Sequence, residues 1–196
     1  MSLRPTAARA PAAVVRRLGP ADLMAYKALR DEALRLHPEA FTSDHATERN
    51  RPAESYLPRL GLNEPLGGSF LLGAFVRTAG REQLVGSVGL ERETRRKTRH
   101  LAWLIGLMVL PSHTGRGLGS ALVERCIAEA RAAAGLEMLL LSVTASNTRV
   151  VRLYEHAGFR RYGLLPRAVR IADGGTPQYH DKAQMLLSLR AEPLPR

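Results

Sequence analysis

The stretch Val109–Leu122, VLPSHTGRGLGSAL, decides how this chain is read. A strand-like apolar run breaks at Pro111, passes through a turn punctuated by Gly115, Gly117 and Gly119, and continues as an amphipathic helix. Glycine lacks a Cβ, so the backbone there can take positive φ and press close to a ligand while several N–H groups point one way. The helix opening behind the turn adds the positive end of its dipole, and Arg116 adds a full charge. A pyrophosphate fits such an anion cradle. A glycine-rich strand-to-helix turn also serves as a plain tight connection, and these residues alone leave both readings open.

Two nucleotide loops are excluded. Walker A requires Gly-Lys-Ser/Thr, and Gly119 is followed directly by Ser120. The dinucleotide fingerprint requires a third glycine where this chain has Ser120, Ala121 and Leu122.

Downstream, Met138–Thr144 (MLLLSVT) reads as a short strand, followed by the run Asn147 to Phe159, NTRVVRLYEHAGF. Val150, Val151, Leu153, Tyr154 and Ala157 recur at helical spacing, Asn147 can cap the start, and Gly158 can end the helix. The glycine turn, the strand and the Asn147–Tyr154–Gly158-Phe159 helix, in that order, resemble the GNAT superfamily of acyl-CoA N-acyltransferases, from about Val14 to Leu189. The resemblance implies acetyl-CoA as acyl donor, no metal, and an amine acceptor, either a small molecule or a peptide or protein amine. It implies an α+β fold: a GNAT-like mixed, mostly antiparallel central sheet flanked by helices, with a splayed strand pair holding the cofactor.

By the same resemblance Thr114, Gly115, Arg116, Gly117, Leu118, Gly119 and Ser120 hold the coenzyme A pyrophosphate, and Met108, Val109 and Leu110 offer backbone amides to pantetheine. An N–H near Val109 would polarise the acetyl carbonyl, Asn147 would contact the cofactor, and Tyr154 would protonate the departing thiolate as general acid. Each has a plainer reading. Met108 and Val109 suit a core, Asn147 suits a helix cap, and Tyr154 suits packing against a sheet. Thr114 stands where the family carries Arg or Gln; its hydroxyl can cap the helix or touch phosphate, with Arg116 supplying charge nearby.

No general base is identified. The strand leading into the cradle, Leu101–Leu110, has no carboxylate. His100, Glu91 and Glu93 sit at the far end of the strands, and nine residues at about 3.3 Å each put His100 roughly 30 Å from Val109, which argues against all three. A water-relayed path or a carboxylate from the first helix and its following loop fits better. From Asp31 to Glu64 the chain has seven acids against four bases, a local −3. An acidic stretch bordering the acceptor site would suit a cationic amine, although a solvated acidic loop has the same sequence.

The bulk properties set wider bounds. One domain, 13–190, is expected between an N-terminal tail, 1–12, and a C-terminal tail, 191–196. No apolar run approaches membrane-spanning length, and the arginine-dotted start has no secretory core, so a cytoplasmic protein without a membrane partner is expected. The lone Cys126 excludes an internal disulfide and suits a buried thiol. Net charge is +11, with 29 Lys and Arg against 18 Asp and Glu. Arg92, Arg95, Arg96, Lys97 and Arg99 would be the footprint of a nucleic-acid binder; without a stacking platform they read instead as a solvated hairpin. A coenzyme A-binding protein without catalysis is the other alternative, and a homodimer stays open.

Along the chain, strands are expected at Val14–Leu18, Ser69–Val76, Leu84–Leu90, Leu101–Leu110 and Met185–Leu189, with another short one after Arg160. Helices are expected from Pro20 to about Leu36, near Ala53 to Leu60, and from the cradle to about Ala134. Turns are expected at Ala79-Gly80 and Asp173-Gly174-Gly175.

Overall fold

Alternating apolar residues in the front half build strands, and 3.6-residue stripes behind them build the covering helices. The structure, a computed structural model, describes residues 13–78, 80–172 and 175–190. The two expected tails, 1–12 and 191–196, lie outside the described residues, as do Ala79 and Asp173-Gly174 of the expected turns. In chain order the elements are β1 (Val14–Arg17), α1 (Leu23–Leu36), α2 (His45–Glu48), β2 (Phe70–Thr78), β3 (Arg81–Arg92), β4 (Leu101–Val109), α3 (Leu118–Ala132), β5 (Met138–Thr144), α4 (Thr148–His156), β6 (Arg160–Ile171) and β7 (Gln178–Ser188). Short 3₁₀ turns at Pro20–Asp22, Pro38–Ala40, Ala53–Leu60 and Pro111–His113 join them.

The strands form one sheet in the order β1-β2-β3-β4-β5-β7-β6. Every neighbouring pair is antiparallel except β4 with β5. Helix α3 buries Leu118, Leu122, Val123, Cys126, Ile127 and Ala130 against one face, a stripe at helical spacing. On the other face Leu23, Tyr26 and Leu29 of α1 join Tyr56, Leu71, Phe75 and Met108. Cys126 is fully enclosed, and burial, with Glu129 adding to it, pushes its thiol up to about 12, as an inert core group requires. No helix among the described residues is long and apolar enough to cross a membrane.

Three expectations are corrected here. The last strand begins at Gln178 rather than Met185, because β7 is hydrogen-bonded on both sides, to β5 and β6, and that ladder holds a polar segment that alternation does not reveal. Strand β6 is twelve residues long rather than short. It lies at the sheet edge, where Pro166 is tolerated at a register shift between Leu165 and Val169. Arg92 also leaves the solvated cluster. It is buried, and its guanidinium donates to the carbonyls of Arg99 (2.6 Å), Leu66 (3.1 Å), Gly67 (3.1 Å) and Ala134 (2.8 Å), tying three chain segments together. Arg95, Arg96, Lys97 and Arg99 are exposed.

Strand β4 prepares the site. Its register against β3 shifts between Ser87 and Gly89, opposite Gly106, which has φ +60°. This is a β-bulge, and it bends the strand and exchanges the faces of the residues after it. Ala102 and Leu104 pack on the α3 side before the bulge, whereas Met108 packs on the α1 side after it. Pairing with β5 covers only Leu101–Trp103 against Met138–Leu140; beyond that the two strands part.

Candidate active site

The parted strands open into one cleft of 1310 Å³ that runs from the cradle, past β4, to the loop after α1. Met108, Val109, Leu110, Thr114, Gly115, Gly117, Leu118, Gly119, Ser120, Asn147 and Tyr154 all line it. Arg116, between Gly115 and Gly117, is exposed and lies outside this lining.

At the cradle, Gly115 and Gly117 have φ of +77° and +76°, and a Cβ built on either would meet no protein atom within 4 Å. The space beside these two backbones is left to the cleft. Gly117 is the N-cap of α3, and no side chain caps that helix. Its first amides therefore lack an intrahelical acceptor and present the positive helix end to the opening. This backbone suits a pyrophosphate. Gly119, which also lines the cleft, has a second role: it lies within α3, and a Cβ there would stand 3.0 Å from Leu153 Cδ1. Its missing side chain lets α4 pack against α3.

Thr114 does not cap the helix. Its hydroxyl donates to the Pro111 carbonyl at 2.9 Å, closing the turn before the cradle. Leu110 is corrected too. Its N–H donates to Val85 O (2.8 Å), and its carbonyl accepts from His113 N (2.9 Å), so both backbone groups are committed to the protein. By strand alternation the Val109 amide faces the opposite edge, toward the parting from β5. Met108 is a core side chain, as its plainer reading had it.

Asn147 is the N-cap of α4, its Oδ1 accepting from Val150 N at 3.2 Å while the residue lines the cleft. Tyr154 is 5% exposed, stacked edge-on against Phe159 with ring centroids 5.6 Å apart. Its hydroxyl makes no hydrogen bond with another described residue. Burial, with nearby Cys126 adding to it, raises its pKa well above the ordinary phenol value, which widens the gap to a thiol as judged from reference values. A thiolate formed in the same dry space is raised by the same cause, as Cys126 shows, so the difference between acid and leaving group is largely preserved.

The end of the cleft away from the cradle is built around two cations, Arg30 and Lys182, that sequence reading passed over. Arg30 of α1 is 4% exposed and bonded to Glu48 Oε2 (3.2 Å) and Ser43 Oγ (3.0 Å). Glu48 also accepts from Arg51 (2.9 Å) and Tyr56 (2.6 Å). Burial would raise its pKa, but these three partners outweigh that and bring it down to about 2. Lys182 of β7, also 4% exposed, donates to Ala40 O (2.8 Å) and Thr144 Oγ1 (2.9 Å), and burial lowers its pKa. Thr144 Oγ1 in turn donates to Glu39 O at 2.7 Å, so β5 and β7 together hold the Pro38–Ala40 turn. Three of the seven acids in this segment are spent on structure: Glu48 in this network, Asp31 on Lys27, and Asp44 as the cap of α2.

Of the two carboxylates and one imidazole set aside as bases, Glu91 lines the cleft after all. It pairs with Trp103, six residues from Val109 or about 20 Å, closer than counting from His100 suggests. Its carboxylate is held by Arg59 at 3.2 Å. Glu93 accepts from Trp103 Nε1 (3.0 Å), and His100 serves through its carbonyl. The first helix contributes Glu32 to the lining, paired with Arg35 (2.8 Å).

A family model described as the Acetyltransferase (GNAT) family matches residues 26–159. The chain belongs to this family. Acetyl-CoA is the acyl donor of GNAT enzymes, and the cradle described above has the form that donor requires. The chain is 34% identical over 142 residues to a mycothiol acetyltransferase of Salinispora tropica; the match covers 72% of this chain and 42% of that protein, so the chain spans less than half of its length. Among solved structures, a GNAT-family acetyltransferase from Streptococcus pneumoniae superposes with a TM-score of 0.77 at 23% identity, covering 90% of this chain and 99% of the other. The Salmonella typhimurium yncA structure, solved with acetyl-CoA, gives 0.74 at 22% identity, covering 94% and 98%.

Proposed function

We propose that the protein transfers an acetyl group from acetyl-CoA to a primary amine by direct attack within a ternary complex. The observation that carries this reading is the continuity of the cleft: the cradle, the parted edge at Val109 and Tyr154 share one space with a separate acceptor end around Arg30, Trp103 and Lys182. Two substrates can be held at once, so no acyl-enzyme is needed, and the buried Cys126 is no nucleophile.

In this reading the amine nitrogen attacks the thioester carbonyl, the C–N bond forms, and the C–S bond breaks. The Val109 amide stabilises the oxyanion, and Tyr154 donates its proton to the departing sulfur. The amine sheds its own proton to water in the open acceptor end, where Glu32 and Glu91 stand as anions at the rim. A cytoplasmic setting belongs to the same proposal, and a lone cysteine with no disulfide framework is compatible with it.

An acetylation screen over small amines and peptides, read by release of free thiol, tests the proposal. Acetyl-CoA binding by calorimetry without thiol release from any amine would mark a coenzyme A-binding protein instead. Absent heat with acetyl-CoA, together with salt-sensitive duplex DNA binding, would mark a nucleic-acid binder.

A further inference from the structure

Charge at the acceptor end is opposite to what the acidic segment suggests. Arg30 and Arg51 share the single carboxylate of Glu48, so two guanidinium charges meet one anion. Two ionic pairs at this end cancel, Arg59 with Glu91 and Glu32 with Arg35, and Glu39 beside His37 leaves one carboxylate to set against Lys182. Lys182 has no carboxylate within ion-pair distance among the described residues, with Glu39 near enough only to temper its charge. The balance at this end is therefore positive.

Arg30 also has a group to spare. Its Nε and Nη2 are fixed by Glu48 and Ser43, while Nη1 makes no hydrogen bond with a described residue. The side chain is 4% exposed, and what surface it keeps lies on the cleft. The Nη1 nitrogen is not sealed off, and on this side of the cleft it can give an entering anion a charge-assisted hydrogen bond that the other two nitrogens cannot. The guanidinium is already oriented by two partners, so little side-chain freedom is lost when it binds. The same cleft is lined by the apolar side chains of Leu29, Ala33, Phe41, Trp103 and Ile105.

We infer that the acceptor amine carries a carboxylate, and that Arg30 Nη1 binds this group while the apolar body of the molecule lies against this apolar lining. The substrate class is then a small apolar amino acid, not a polyamine or a basic peptide, which the net positive charge would repel. This inference rests on the acetyl-transfer reading for its chemistry and on Arg30 alone for its binding.

The test has a binding arm and a turnover arm. With the full chain saturated in coenzyme A, calorimetry compares 3-phenylpropanoate with the uncharged 3-phenylpropanamide. The carboxylate is expected to bind tighter by about tenfold to a hundredfold, the range of a charge-assisted hydrogen bond. Arg30→Gln, checked for folding by its acetyl-CoA affinity, is expected to erase that preference, and Arg30→Lys to keep part of it. In turnover, L-phenylalanine is expected to exceed phenethylamine and L-phenylalaninamide by a similar factor in kcat/KM. Equal binding of the two phenylpropanoic probes by the wild type would overturn the anion site, whatever the variants do. A preference that survives Arg30→Gln in a folded variant would overturn the assignment to Arg30. Selective carboxylate binding with no acetylation of any amine would leave the anion site standing and overturn acetyl transfer.

Discussion

At the cradle end the cleft is lined by backbone; at the other end, the proposed acceptor end, it is lined by side chains held in place by other side chains. The cradle is made by consecutive residues, Thr114 to Ser120, whose amides are aimed by two positive-φ glycines and an uncapped helix. The acceptor end is made by contacts between distant residues: Arg30 with Glu48 across 18 positions, Thr144 with Glu39 across 105, and Lys182 with Ala40 across 142. A backbone site is tuned for one constant partner and is local. A side-chain site exchanges specificity one residue at a time and is assembled only by the fold.

The largest effect expected is at the point where the two ends meet. Tyr154→Phe removes one hydroxyl that makes no hydrogen bond with another described residue, so folding and acetyl-CoA affinity should barely change while kcat falls by about 10²–10⁴. Steady-state kinetics with calorimetry measures both. An acyl donor with a more acidic thiol should recover much of the lost rate; equal slowing of both donors would make Tyr154 a packing or positioning group.

Next in size is the acceptor network. Glu48→Gln leaves Arg30 and Arg51 without their shared anion, and stability should fall by about 3–5 kcal/mol, the cost of breaking a buried pair, with acetyl-CoA affinity retained in the fraction that folds. In the wild type, Glu48 has a folded pKa of about 2 against an ordinary 4.5. The folded value is the lower one, so its stabilisation is complete above pH 4.5 and is lost as pH falls toward 2. Thermal melts between pH 7 and pH 2.5 should show that decline, and Glu48→Gln should flatten it.

These two regions also mark how much the sequence discloses. Glycine and proline punctuate the backbone, so the glycine turn and the α4 cap at Asn147 were legible in the motifs, and the parting of the central strands followed only from the family resemblance those motifs carry. Strand β7 was half-hidden because sheet pairing, not alternation, holds its polar residues. The reversal of faces along β4 was hidden by one glycine, Gly106, in an otherwise regular apolar run. Arg30 and Lys182 were missed because a cation on a helix or strand ordinarily faces water, and only tertiary contacts show that these two do not. The same contacts turned an acidic segment into an internal counterion supply.

Within the cradle, two neighbouring glycines should fail differently. Gly117→Val forces a branched side chain into φ +76° and into space left for the ligand, so acetyl-CoA affinity should drop by about a hundredfold, with a strain cost of about 1–3 kcal/mol. Gly119→Val should act through packing, pressing on Leu153 and destabilising by about 1–3 kcal/mol. Adding Leu153→Ala should restore the melting temperature of the Gly119 variant and do nothing for the Gly117 variant. Rescue of both, or of neither, would erase the distinction between the ligand face and the helix face of this turn.

The smallest effect concerns Thr114, where the family carries Arg or Gln. Its hydroxyl bond to Pro111 closes an exposed turn and contributes about 0.5–1.5 kcal/mol, which Thr114→Arg would lose. The new guanidinium would stand at the cradle mouth and add a charge-assisted contact to phosphate, weakened by water on its open side. The two nearly offset, so acetyl-CoA should bind equally well or a few-fold tighter. Salt separates the contributions: any gain should shrink between 50 and 300 mM salt, because only the charge is screened while the turn bond is not. A tenfold loss at both salt concentrations would show that the Thr114–Pro111 bond sets the shape of the cradle, and that this chain replaced the family's side-chain contact with a more exactingly held backbone.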